Sequence, residues 1–334
     1  MLKKRKATSH IYGPVPSRRL GFSLGVDILP YKTCSFDCVY CQLGRTDRKA
    51  DRRGRYFSSS DILRQIKEAI HKSPRIDHIT FSGSGEPTLN TGIGDLVRKI
   101  KKTTDIPVVV LTNSSLLTRP SVRRALLAAD IVVPSLDAAT AASFRRVNRP
   151  LPSIKIDEII EGLILFRREF QGRIWLEVML VKGINDSPAD IKALKKTVAR
   201  IRPDKIQLNT VVRPPAEKWA RPLSQVELKR IKKELGDRAE VVVSFRRPPS
   251  SAGGQNLKKA ILAITGRRPV TLEDMRSSLG RENNEIRPHL ETLVRWNRIK
   301  RLRHKGAVYY SASEPVNAER KRSPNMPGRS GKRP

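Results

Sequence analysis

Between residues 25 and 245, short runs rich in Val, Ile and Leu alternate with amphipathic stretches, and this alternation constrains the fold more than any other feature of the chain. The runs cover 25–29, 78–82, 108–112, 131–136, 174–181, 205–210 and 240–245. Near-continuous apolar runs of this length are expected of parallel strands covered on both faces. The stretches between them carry helix patterns. Ser60 and Asp61 start one that places Ile62, Ile66, Ala69 and Ile70 on a single side. Another opens at Ser187-Pro188-Ala189-Asp190, with proline early in the first turn, where its missing N–H costs little. Six or seven such units without a glycine-rich dinucleotide fingerprint predict an α/β barrel, complete or open, over a two-sided open sheet. Residues 1–24 stand before it as an N-terminal extension.

The alternation stops in a linker by composition, residues 246–255, rich in Pro, Ser and Gly. Beyond it, 256–265 is helical, 271–279 is a short helix with Thr271 as its cap and Glu273 and Asp274 in its first turn, and 285–296 is a third helix. Residues 299–302 and 307–310 pair across His304-Lys305-Gly306. Three helices followed by a hairpin resemble a winged-helix domain over 256–312, a segment with 13 Lys and Arg against five acids. Residues 313–334 lack apolar periodicity and read as a basic, disordered tail.

The whole chain carries 67 Lys and Arg against 32 Asp and Glu, a formal charge of +35. A field of that sign attracts polyanions, nucleic acid foremost, although a solvated basic surface produces the same excess. No apolar run is long enough to cross a bilayer. The basic start, Met1-Leu-Lys-Lys-Arg-Lys6, leads into polar residues and not into a signal core. A cytoplasmic protein without membrane contact is expected.

The three cysteines all lie in Cys34-Ser-Phe-Asp-Cys38-Val-Tyr-Cys41. An odd, tightly spaced set is a poor disulfide framework and points to a reducing compartment. A zinc knuckle would need a fourth ligand, and the nearest histidines, His10 and His78, lack the local spacing. A cubane [4Fe–4S] cluster ordinarily takes four thiolates, so three leave one iron open to chelate a small molecule.

The C-x3-C-x2-C pattern, with aromatic Tyr40 just before its last cysteine, resembles the cluster loop of the radical S-adenosylmethionine (SAM) superfamily. It also lies just after the first expected strand, where that family carries it. Phe81-Ser-Gly83-Ser84-Gly85-Glu86-Pro87 looks like the superfamily's glycine-rich turn, whose backbone and acid bind the methionine ammonium of SAM, with Ser84 replacing the usual second glycine. Asn113-Ser114-Ser115 after the third strand and Ser135-Leu136-Asp137 after the fourth would, by the same resemblance, reach the ribose and carboxylate of SAM. The resemblance therefore implies a partial TIM-type (β/α)6 barrel over 25–245. It implies a [4Fe–4S] cluster on Cys34, Cys38 and Cys41, and SAM against Tyr40, Gly83, Ser84, Gly85, Glu86, Asn113, Ser135 and Asp137. The activity it implies is oxidoreductase-type: reductive cleavage of SAM to methionine and a 5′-deoxyadenosyl radical that abstracts hydrogen from a substrate. The electron would come from a low-potential donor, a flavodoxin or ferredoxin.

The opening Ile11-Tyr-Gly-Pro-Val-Pro-Ser-Arg-Arg-Leu-Gly21, with Gln207-Leu-Asn-Thr210 and Arg213-Pro-Pro215, resembles a largely uncharacterised radical SAM subfamily related to the tRNA wybutosine-synthesis enzyme. Arg18, Arg19 and Arg213, with Asn209, are candidate contacts for an anionic substrate, because guanidinium is a fixed fork for carboxylate or phosphate. With no cysteine left over, a second cluster, a methyl-carrying cysteine and a thiol hydrogen donor are all disfavoured. What survives is rearrangement, oxidation or carbon–carbon bond formation on an RNA, a nucleotide or another anionic molecule. The third helix, with a mixed face of Arg287, His289 and Arg295 beside Glu285 and Glu291, and the basic 300–305 hairpin would contact nucleic acid. On this two-module division, removing 256–334 should leave SAM cleavage intact. The rival reading is a SAM- or redox-sensing DNA-binding regulator without catalysis.

Overall fold

A computed structural model describes residues 9–17, 19–46, 48–73, 75–242 and 257–313 of the chain. Seven parallel strands form in chain order, one for each apolar run: β2 (Gly21–Val26), β3 (His78–Phe81), β4 (Val108–Thr112), β5 (Ile131–Pro134), β6 (Arg173–Leu180), β7 (Lys205–Thr210) and β8 (Ala239–Val241). The first of them begins four residues earlier than the pattern suggested. A further strand, β1 (Ile11–Ser17), lies antiparallel to it. Residues 11–17 and 21–24 are thus part of the sheet and not an appendage to it. Gly and Pro within Ile11-Tyr-Gly-Pro-Val-Pro-Ser17 hid β1, since proline is depleted in strands and survives here at a sheet edge. The expected end of the last strand, together with the linker, Arg18 and the tail, falls outside the described residues.

Helices α1 (Ser59–Lys72), α2 (Ile93–Lys101), α3 (Pro120–Leu126), α4 (Ala141–Asn148), α5 (Ile156–Glu169), α6 (Pro188–Ile201) and α7 (Gln225–Leu235) alternate with these strands. Their starts are chemically marked. Ser58 caps α1, Ser187 precedes Pro188 at the head of α6, and Ser224 with Glu227 forms a reciprocal capping box on α7. The strand order is β1-β2-β3-β4-β5-β6-β7-β8 with no reversal. A doubly wound sheet reverses direction at a switch point; this one keeps curling as a barrel does, and among the described residues β1 and β8 do not pair, so it is open.

Both faces of the strands are apolar, with period two. Val108, Val110 and Val132 join Leu24, Ile79, Ile174 and Leu176 in the core shared with the helices. Their neighbours Val109, Ile131 and Val133 pack with Trp175 on the opposite, inner face. Leu20, from the β1–β2 turn, joins that inner cluster, and the His78 ring donates to its carbonyl (2.7 Å), at the first residue of β3. The floor of the barrel is therefore closed at the N-terminal ends of the strands, and the chemistry is left to the other end.

The last described segment contains α8 (Leu257–Thr265), α9 (Leu272–Leu279), α10 (Asn283–Arg295) and the hairpin β9 (Ile299–His304) and β10 (Ala307–Ala312). Its core of Ile261, Ile264, Met275, Ile286, Leu290 and others also includes Val15 of β1, with Tyr12 packed against it. Burying side chains of this size stabilises by roughly 1.5–3 kcal/mol each, so the segment and the barrel edge share one core. The hairpin also reaches the loop after β7: Lys305 Nζ donates to the Val211 carbonyl (3.2 Å) and the Tyr309 hydroxyl to that of Val212 (3.0 Å). The segment thus spans from the β1 edge to the far side of the opening. Removing the segment would therefore uncover Val15 and Tyr12 of β1, a packing that the two-module division did not anticipate.

Candidate active site

The loop from Asp27 to Ser58 leaves β2 at its C-terminal end and carries the three cysteines. It is fastened to the turn after β3 by backbone bonds: Lys32 N–H donates to Ser84 O (2.6 Å) and Glu86 N–H to Thr33 O (2.9 Å). A β-carbon on Gly85 would stand 1.9 Å from the Thr33 carbonyl oxygen, so only glycine lets the two segments meet. A second fastening joins Cys34 to the Lys49–Ala50 strand of the same loop, where Ala50 N–H donates to Cys34 O (2.8 Å).

Each thiol sulfur accepts from a side-chain N–H donor. Lys32 Nζ lies 3.2 Å from Cys41 Sγ, Asn148 Nδ2 lies 3.4 Å from Cys38 Sγ and Asn113 Nδ2 lies 3.5 Å from Cys34 Sγ. Burial pushes the Cys34 thiol up to about 12, with Glu86 and Cys41 adding in the same direction. Burial likewise raises Cys38 well above the usual thiol range, helped by Asp137 and by the other two sulfurs. The thiols are therefore close enough to repel one another as thiolates. Cys34 and Cys38 thus hold on to their protons until a cationic centre displaces them, as metal coordination does. Among the described residues, no three or more His, Cys, Asp or Glu side chains gather round a point as a single ion requires. A cubane instead presents a separate iron to each thiolate, and an all-sulfur donor set suits it. The residues fit that cluster.

Tyr40, Asn113, Ser135 and Asp137, expected at the ends of separate strands, do line one recess, together with Phe36 and Asn148. Asp137 is its anchor. Its Oδ2 accepts from the Tyr40 hydroxyl (2.5 Å) and Asn148 Nδ2 (2.6 Å), and its Oδ1 from Met179 N–H (2.9 Å). Burial pushes its carboxyl up to about 6, against the pull of those three donors. Burial also raises the Tyr40 phenol well above its usual range, with Asp137 adding to it. Asn148, which closes α4, touches both Cys38 and Asp137 and joins the sulfur side to the polar side of the recess.

Gly83, Ser84, Gly85 and Glu86 form the neighbouring turn. Glu86 is 2% exposed. Its Oε1 accepts from Thr88 N–H (3.0 Å), Thr88 Oγ1 (2.6 Å) and Thr112 Oγ1 (2.7 Å), and its Oε2 from Asn113 N–H (2.6 Å). The carboxylate therefore braces the end of β4 against the turn, and Oε2 alone keeps a spare lone pair for an incoming donor. Burial raises its carboxyl in spite of these bonds.

The substrate candidates are less open. Arg19 is paired to Glu177 of β6 (2.7 Å), which also accepts from Asn209 Nδ2 of β7 (3.2 Å). Arg213 faces Asp274 of α9 (3.8 Å) and is 11% exposed at its side chain. Each guanidinium therefore has an acidic neighbour within the protein. Lys32, Asn148, Glu177 and Asp27 were missed by sequence reasoning. None has a local signature, because each acts through a partner that only the fold supplies.

The sequence profile of the Radical SAM superfamily matches residues 28–194, half of the chain. The chain is 33% identical to the UPF0026 protein MJ1312 of Methanocaldococcus jannaschii, over 90% of this chain and 94% of that protein. It is 37% identical to a Brachyspira hyodysenteriae protein named GTPase Obg, over 93% of this chain but 46% of that one, so it spans less than half of that relative. The sequence has no G-x-x-x-x-G-K-[ST] phosphate loop of the kind that cradles nucleoside triphosphates. Identity falls to 26% with the dual-specificity RNA methyltransferase RlmN of Caulobacter vibrioides, over 52% of this chain and 45% of that protein. A crystal structure of a radical SAM methyltransferase from Sphaerobacter thermophilus shares the fold, with a TM-score of 0.51, 19% identity, and 66% of this chain and 65% of that one covered.

Proposed function

The chain belongs to the radical SAM superfamily and to the UPF0026 proteins, and from that premise we propose that Cys34, Cys38 and Cys41 hold the cluster of an enzyme acting on an anionic substrate, RNA before others. When bound, the family's [4Fe–4S] cluster and SAM supply a 5′-deoxyadenosyl radical by reductive cleavage. The observation that carries the reading is the pairing of each sulfur with a side-chain N–H donor. Two of those donors, Asn113 and Asn148, belong to the recess of Tyr40, Ser135 and Asp137.

The chain's own residues divide the work. Lys32, Asn113 and Asn148 direct N–H groups at the sulfurs and so favour their ionised form once coordinated. The turn at Gly83–Glu86 offers backbone carbonyls and the spare Oε2 lone pair of Glu86 to the methionine ammonium. Asp137, oriented by Tyr40 and Asn148, accepts from ribose hydroxyls, and Ser135 and Asn113 complete the polar rim. The closed floor at Leu20 and Trp175 and the apolar Phe36 and Phe144 keep water from the reacting atoms.

The preference for RNA rests on the +35 charge, on the exposed Arg45, Arg48, Arg52 and Arg55 of the cysteine loop and on the likeness to RlmN. The opening and Arg213 motifs, which resemble the wybutosine-related subfamily, point the same way, as does a winged-helix reading of the segment from α8 to β10. A low-potential flavodoxin or ferredoxin, acidic enough to meet the same basic loop, would supply the electron. The test is anaerobic reconstitution with iron and sulfide, reduction, and incubation with SAM. 5′-Deoxyadenosine should accumulate, and its absence from fully loaded protein would favour a non-catalytic regulator. Modified nucleosides should then differ between cells with and without the protein, while unchanged RNA would remove the substrate assignment.

A further inference from the structure

Arg267 follows α8, some 240 positions from the cysteine loop in sequence, yet its side chain is 2% exposed and points at the end of β2. Its Nη1 donates to Ala263 O (3.0 Å) and its Nη2 to Ser9 O (2.8 Å), and its guanidinium lies 4.5 Å over the Tyr12 ring. That ring hydrogen-bonds in turn with Ser82 (2.7 Å), the residue leading into the Gly83–Glu86 turn. Among the described residues the Nε has no hydrogen-bond partner; it is buried and stands 3.6 Å from Asp27 Oδ2.

Asp27 is equally buried, and it holds the turn. Its Oδ2 accepts from Ser84 Oγ (2.5 Å) and its Oδ1 from Ser84 N–H (3.2 Å) and Leu29 N–H (3.4 Å). A side chain on Gly83 would stand 2.6 Å from the Asp27 carboxyl carbon, so the turn is seated directly on that carboxylate. The substitution of Ser84 for the usual second glycine of this turn now has a physical reading. The serine hydroxyl gives the turn an extra hold on Asp27, and Asp27 takes its opposite charge from the C-terminal segment.

We infer that Arg267 is a positioning residue for the SAM-binding turn, acting through Asp27 and Ser84, so that the C-terminal segment completes the cofactor site of the barrel. This rests on the reading of Gly83–Glu86 as that turn. A preorganised turn binds its ligand without first having to be ordered, and loosening it weakens binding without altering the reacting groups. The effect falls on SAM affinity and not on the chemical step.

The test is SAM titration of the cluster-loaded, full-length protein, with iron content measured on each sample. Arg267→Lys, which keeps the charge but not the three-way fork, and Ser84→Ala should each weaken SAM binding about tenfold. Iron content should stay unchanged in both, and in Arg267→Lys turnover at saturating SAM should stay within about twofold of wild type. The double variant should be no weaker than the worse single one, because both act on one linkage. Arg281→Gln, on the exposed surface of the same segment, should bind as wild type does. Wild-type affinity in Arg267→Lys, or simple additivity in the double variant, overturns the inference. Should Arg267→Lys fail to fold, Ser84→Ala decides alone, and unchanged affinity there overturns it equally. A loaded wild-type protein that binds no SAM rejects the functional reading itself, and this inference with it.

Discussion

Two buried carboxylates stand at the ends of two strands of one site, and the protein satisfies them in opposite ways. Asp27, after β2, faces the guanidinium of Arg267 from the far end of the chain. Asp137, after β5, meets only neutral donors, Tyr40, Asn148 and Met179 N–H, and its carboxyl is raised to about 6. A charge paired inside the protein fixes architecture. A buried charge without a counter-charge keeps a demand for donors that a ligand can meet. The first arrangement holds the cradle and the second faces what the cradle receives.

That contrast assumes that both carboxylates serve a single cluster, and the largest effect tests the assumption. Cys38→Ala should abolish the brown cluster absorbance and reduce SAM cleavage to background. Full absorbance at unchanged iron content would reject Cys38 as a ligand and detach Asn148 and Asp137 from the chemistry.

Asp27→Asn comes next. It leaves the Arg267 charge buried and uncompensated, which costs about 3–5 kcal/mol. Thermal melting should fall by roughly 10 °C, and an unchanged melting temperature would mean that the ion pair organises nothing.

Asp137→Asn should do the reverse. Its carboxyl is raised from the usual 3.8 to about 6, so the folded chain binds the proton more tightly than the unfolded one. Ionising it therefore lowers stability as pH rises from about 3.8 to about 6, by an amount on the order of 3 kcal/mol. The cluster-free Asp137→Asn protein should lack that decline and melt no lower than wild type above pH 6. Its affinity for SAM should nevertheless fall between about 10- and 100-fold, the range for losing a hydrogen bond to a charged group. A variant that melts lower but binds SAM normally would invert the comparison.

The smallest effect is expected from Glu227→Gln, in the exposed capping box of α7. The Ser224 N–H, the Ser224 hydroxyl and Lys182 hold that carboxyl down at about 2. Melting at neutral pH should drop by about 1–2 °C, with SAM binding untouched.

The barrel was legible because burial on both faces writes itself locally. The seven apolar runs, the helix starts near Ser60 and at Ser187 and the hairpin across Lys305 all come from interactions within a few residues. The cysteine trio was legible for the same reason, since three ligands within one loop need no partner from elsewhere. Strand β1 was not, because glycine and proline suppress the local signal and only the edge of a sheet gives that segment a place.

The rest depended on distance along the chain. Ionic and hydrogen-bond partners are chosen by where the backbone brings them, and no pattern joins residue 27 to 267, 19 to 177, 40 to 137 or 213 to 274. Sequence by itself determined that this chain alternates strand and helix and concentrates three thiols after the first parallel strand. Tertiary structure decided which charges are satisfied. It gave Arg19 and Arg213 acidic neighbours, left Asp137 with neutral donors and brought a C-terminal arginine beneath the turn. The physical reason is that apolar periodicity is a local property summed over neighbours, whereas pairing a buried charge is a single long-range contact that only the completed fold can make.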